Sequence, residues 1–90
     1  MKNIWKCILK IDDEQIVELP EGAEALTVQI QDGQPCLWYL VNPVQPLRKY
    51  LVRMAGTGHP IERNYSKNEY VGTFQMKDGQ LIFHVFIIQL

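Results

Sequence analysis

Apolar residues recur along this chain mainly at every second position, in short runs closed by Gly, Pro, Asn or Asp, and that spacing predicts β-strands. Ile4 to Ile11 reads as a first strand with Asp12-Asp13 as its turn, and Gln15 to Leu19 as a second, stopped by Pro20-Glu21-Gly22. Leu26, Val28 and Ile30 alternate with Thr27, Gln29 and Gln31, the pattern of a strand with one wet face. "DGQP" turns the chain and Cys36 to Val41 returns. "NPVQP" (Asn42 to Pro46) then breaks it, because two prolines so close exclude a central strand. Tyr50 to Ala55, Tyr70 to Met76 and Leu81 to Ile88 complete the set, the last two joined by "KDGQ". The polar stretch "IERNYSKNEY" reads as a loop or one helical turn. About seven short strands with turn signals between them predict an all-β, mainly antiparallel single domain over residues 1–90, a compact small sandwich or barrel with little helix.

Two runs depart from the alternation. In "LIFHVFII" (Leu81 to Ile88) and "LWYLV" (Leu37 to Val41) both faces are apolar, so both need cover. Either each is a central strand of the monomer, or a subunit contact covers it. The hairpins "TVQIQDGQPCLWYLV" and "TFQMKDGQLIFHVFI" align without gaps around a shared Asp-Gly-Gln. Similar turn requirements explain that likeness more simply than duplication, since Asp-Gly favours a tight hairpin.

Size and charge narrow the function. A ninety-residue chain buries only about 60% of its unfolded surface. Hollowing roughly 300 Å³ out of so small a core would remove much of what holds it together. A small-molecule site is therefore expected between subunits or in a surface cleft, which favours a homo-oligomer. A net charge of -1 with mixed signs lacks the cationic face that a nucleic-acid polymer demands, so none is expected as a partner. "MKNIWKCILKIDDE" has no signal-peptide core and no run has transmembrane length, so a cytoplasmic protein without membrane attachment is expected. Cys7 and Cys36 are then expected reduced and buried.

The candidate chemistry centres on "AGTGHP" (Ala55 to Pro60). Gly56 and Gly58 allow backbone N–H groups to converge on an anion, with Thr57 adding a hydroxyl and His59 an imidazole. The segment matches no established phosphate loop, and a strand-ending turn is the plainer account. Arg53 leads into it and Arg63 follows, supplying charge, while Tyr50 or Trp38 offers a stacking face for a base. Core positions for both aromatics and solvated arginines are the alternative. His59 and His84 with Cys7 and Cys36 have no zinc spacing, and no metal or cofactor is expected. Cys36 has no basic residue near it, Ser66 lies in no elbow motif and no carboxylate sits in an apolar setting, so no enzyme is expected; a small hydrolase built around His59 is the third reading.

The segments "LPEGAEALTVQIQDGQPCLW" (Leu19 to Trp38), "GTGHP" (Gly56 to Pro60), "GTFQ" (Gly72 to Gln75) and "LIFHVF" (Leu81 to Phe86) resemble a family of small uncharacterised phage and prophage proteins. The resemblance covers most of the chain, leaving out Asn42 to Lys49. It implies a phage-related accessory protein in a bacterial host cytoplasm and brings no site with it. Some small phage proteins sequester nucleotide immune signals as multimeric sponges, an analogy of size and setting. The resulting expectation is a non-catalytic oligomer that binds a phosphate-bearing small molecule, as a counter-defence sponge. The alternative is an accessory protein that binds a host or phage protein through its apolar hairpin faces.

Overall fold

Seven strands and one short 3-10 turn build the fold, described by a computed structural model that covers residues 1–90. The strands are β1 (Asn3–Ile8), β2 (Glu14–Pro20), β3 (Glu24–Gln31), β4 (Gln34–Val41), β5 (Leu47–Gly56), β6 (Tyr70–Met76) and β7 (Leu81–Gln89), with the 3-10 turn at Lys67–Glu69. All pairings are antiparallel. They form a three-stranded sheet, β1-β4-β3, and a four-stranded sheet, β2-β5-β7-β6. This is the compact all-β architecture that the alternation predicts.

The two strands with apolar faces on both sides are central ones. β4 lies between β1 and β3, and β7 between β5 and β6. Both edges of each strand are therefore paired, while Trp38 and Leu40 on the outer face of β4 remain half-buried. The inward faces bring Leu37, Val52 and Val85 to complete burial, among Val28, Tyr39, Val41, Tyr50, Met54 and Phe74. Each such aliphatic side chain contributes about 1.5–3 kcal/mol of transfer free energy.

Local detail departs from the simple pattern at three places. β1 ends at Ile8, because Leu9 turns into the core and the Gln15 side chain takes over the backbone of Lys10. A bulge between Ala25 and Thr27 flips the phase of β3, leaving Leu26 exposed instead of beside Val28 and Ile30. The look-alike hairpins turn differently. Asp32 and Gly33, both at positive φ, connect β3 directly to β4, whereas Lys77, Asp78 and Gly79 are all left-handed in a four-residue β6–β7 loop.

At one side the two sheets approach closely: an added Cβ on Gly72 of β6 would stand 3.4 Å from Val28 Cγ1 of β3. At the other side β1 and β2 are joined only by the arch from Leu9 to Asp13, and no ladder connects them. The cysteines are unpaired. Cys7 stands beside Leu37 on the core face and Cys36 beside Ile8 on the outer face, so the two thiols point to opposite sides of the sheet. Cys36 is buried as expected, and Cys7 only half-buried. No helix is long and apolar enough to cross a membrane.

Candidate functional site

The segment from Thr57 to Glu69 runs as a strap from the end of β5 to the start of β6, and side-chain contacts tie it to the outer face of the four-stranded sheet. At its start, Thr57 Oγ1 lies 2.7 Å from His84 Nε2. The other ring nitrogen, Nδ1, lies 2.8 Å from Thr73 Oγ1, which in turn bonds the Tyr70 hydroxyl. A neutral imidazole donates at one nitrogen and accepts at the other, and hydroxyls on both sides suit either tautomer. Farther along, Tyr65 stacks on Phe86 at 4.6 Å, and Tyr70 tilts against the same ring at 5.3 Å. Ser66 N–H donates to the Glu69 carboxylate at 2.7 Å, closing the strap into β6.

The glycine-rich turn is explained largely by its own geometry. His59 N–H donates to the Gly56 carbonyl at 3.1 Å, so that donor is spent within the turn. Gly58 has φ +86°, where a side chain is strained. The His59 ring lies over Gly56, 2.9 Å from where a Cβ would stand. Thr57 and His59 line a small cleft of about 230 Å³ with Gln80 and residues Leu81 to Phe83. That is room for a phosphate or carboxylate group.

The arginines lie elsewhere. Arg53 and Arg63 share a separate, larger cleft of about 540 Å³ with Asp13, Glu14, Leu51, Glu62 and Tyr65. Arg53 is largely spent on structure: its Nη1 donates to the carbonyls of Met54 (2.7 Å) and Asp13 (3.1 Å). The carboxylate of Asp13 stands 3.8 Å from the same nitrogen. Arg63 has no carboxylate within ion-pair distance, and its guanidinium lies 5.8 Å over the ring of Tyr65.

Neither aromatic expected to stack on a base meets these clefts. Tyr50 is buried in the core, its hydroxyl donating to the Pro20 carbonyl at 3.0 Å and accepting from Ala23 N–H at 3.3 Å. Trp38 belongs to the outer face of the other sheet, across the sandwich from the strap. Period two already held the signal for Tyr50, which is in phase with buried Val52 and Met54 and out of phase with Arg53. His84 is the residue that sequence reasoning missed as part of a site, and Tyr65, one of the aromatics able to stack on a base, is the one that meets the larger cleft. Their partners lie far along the chain, and only the ladder of β5, β7 and β6 brings them together.

No group of three or more His, Cys, Asp or Glu side chains is arranged to hold a metal ion. Burial, reinforced by nearby Cys36, raises the Cys7 thiol above its ordinary 9.0. Burial, then Cys7, raises the Tyr39 hydroxyl above 10.0. Both effects favour neutral groups in the core.

A family model described as a domain of unknown function (DUF7352) matches residues 1–89, and the chain belongs to that family. No curated protein and no solved structure matches it.

Proposed function

We propose that this member of a family of unknown function is a binding protein without catalysis of its own, which holds a small phosphate-bearing molecule beneath the strap. The carrying observation is that Arg53, Arg63 and Tyr65 line one cleft of about 540 Å³, with the Arg63 charge unpaired. Small-molecule sites span about 300–1,000 Å³. A phosphate facing Arg63 and the free edge of Arg53, beside the edge of the Tyr65 ring, uses what the cleft offers. Asp13, Glu14 and Glu62 accept hydrogen bonds from hydroxyl or amine groups of the same ligand. Thr57 and His59, in the neighbouring smaller cleft, supply a second position for an anionic group.

The resemblance to phage proteins supports the finer reading, that the ligand is a nucleotide immune signal sequestered by an oligomer in the host cytoplasm. The test incubates purified protein with an extract of phage-infected, defence-carrying bacteria. Small molecules released after washing and denaturation are then identified by mass spectrometry. An intact nucleotide recovered from the wild type and lost with Arg63→Ala is the expected result. Empty protein, or a chemically altered ligand, overturns the reading.

A second reading has its own observation. On the outer face of the three-stranded sheet Ile4, Ile8 and Leu26 are about half exposed or more, around half-buried Trp38 and Leu40. An apolar patch of that kind suits a protein partner. Leu26→Lys then abolishes capture of the partner while leaving the cleft ligand bound.

A further inference from the structure

The side where the two sheets are not joined carries a charge pattern. β1 and β2 are the edge strands there, each hydrogen-bonded on one side only. Along the outward side of β1 run Ile4, Lys6 and Ile8, with Lys2 just before the strand and the Lys6 ammonium donating at 2.7 Å to the exposed Gln31 side chain; along that of β2 run Glu14, Ile16 and Glu18. Ile4 is 62%, Ile8 54% and Ile16 51% exposed. Both strands therefore present apolar residues alternating with charge, lysine on one and glutamate on the other.

That pattern discriminates between pairings. With isoleucines matched, placing β1 beside a second β1 sets lysines against lysines, and β2 beside β2 sets glutamates together; like charges directly opposite are destabilising. Charged edge strands commonly serve to prevent such association. Only β1 against β2 matches charge with opposite charge and isoleucine with isoleucine. Within one chain the two edges are not paired, although the arch between them brings the strands to the same side.

We infer that the occupant of both edges is a second copy of this chain, with β1 of each protomer antiparallel to β2 of the other in a closed two-fold dimer. Each three-stranded sheet then continues into the partner's four-stranded sheet, and no free edge remains on that side. The register sets Ile4 against the partner's Ile16, Lys6 against the partner's Glu14 and Lys2 against the partner's Glu18. It stops short of Lys10, whose backbone N–H and C=O are already held by Gln15, at 3.0 and 2.8 Å. The pairing also places the partner's Lys6 beside Glu14 at the edge of the larger cleft, adding a cation where carboxylates outnumber arginines.

Analytical ultracentrifugation of the untagged chain is the test. The wild type is expected at twice the 10.5 kDa chain mass. Lys6→Glu and Glu14→Lys, each alone, place like charges at both seams and should weaken the dimer by about tenfold or more. Mixing these two variants in equal amounts restores opposite charges at both seams of the mixed dimer. The double variant Lys6→Glu/Glu14→Lys restores them in a homodimer. Recovery in both cases also shows that the single variants are folded. A wild type that stays monomeric at high concentration overturns the inference, as does a dimer indifferent to the single changes or a mixture that fails to reassemble.

Discussion

His84 Nε2 lies 2.7 Å from Thr57 Oγ1, so an imidazole in the middle of a sheet holds the first residue of the strap that crosses it. With Nδ1 committed to Thr73, the ring links two neighbouring strands to one loop. His84→Leu removes both bonds and should cost about 1–2 kcal/mol of stability. Urea denaturation checks the magnitude. Hydrogen exchange should show faster opening of Thr57 to Pro60, and unchanged exchange there would contradict the anchoring role.

The two glycines of the turn predict different outcomes. Gly58→Ala forces a side chain into the left-handed region at φ +86°, at a cost of about 1–2 kcal/mol. Gly56→Ala collides only with the His59 ring, which can swing away, and stability should change by no more than about 0.5 kcal/mol. Thermal melts separate the two. Imidazole NMR shifts of His59 should move in Gly56→Ala even though the fold does not.

Arg53 and Arg63 share a cleft and should still behave oppositely. Arg53 has hydrogen bonds to two carbonyls, and Arg53→Ala is expected to lose about 1.5–3 kcal/mol. Arg63 is exposed and holds no carboxylate, so Arg63→Ala should stay within about 0.5 kcal/mol of the wild type while losing ligand. Denaturation curves measured with the binding assay decide this. Equal destabilisation by both changes would mean that Arg63 also supports the fold.

The raised Cys7 and Tyr39 groups set an alkaline limit. Folding favours their neutral forms, so the stabilisation is complete below the unfolded values of 9.0 and 10.0. It is lost as pH rises past them, where the unfolded chain ionises first. Urea midpoints should be flat near neutrality and fall above about pH 9, with Cys7→Ala reducing the early part of that fall. Cys7 should also alkylate more slowly than a free thiol at neutral pH.

Much of this architecture was legible in the sequence. Alternation marked the strands, and the doubly apolar runs around Trp38 and Phe83 turned out to be the strands flanked on both sides. What could not be read was which strands share a sheet, and with it the site. Thr57, Thr73 and His84 are ordinary residues until β6 and β5 flank β7. The Gly56 to Pro60 segment drew attention through its glycines, yet Gly58 answers to backbone handedness and Gly56 merely lies beneath the His59 ring. Leu26 misled because a bulge of one residue exchanges the two faces of a strand, and composition does not announce a bulge.

The order β2-β5-β7-β6 also bears on how the protein is made. β7 follows every other strand of its sheet in the chain, yet it occupies an interior place, and β6 reaches β5 only through it. As the polypeptide leaves the ribosome, β2 and β5 can pair while β6 and the strap still lack their platform. Insertion of β7 must then supply Phe86 under Tyr65 and His84 between Thr57 and Thr73 in a single late step. Until that moment the nascent chain has an open β5 edge, and that interval is when it most needs shielding from aggregation.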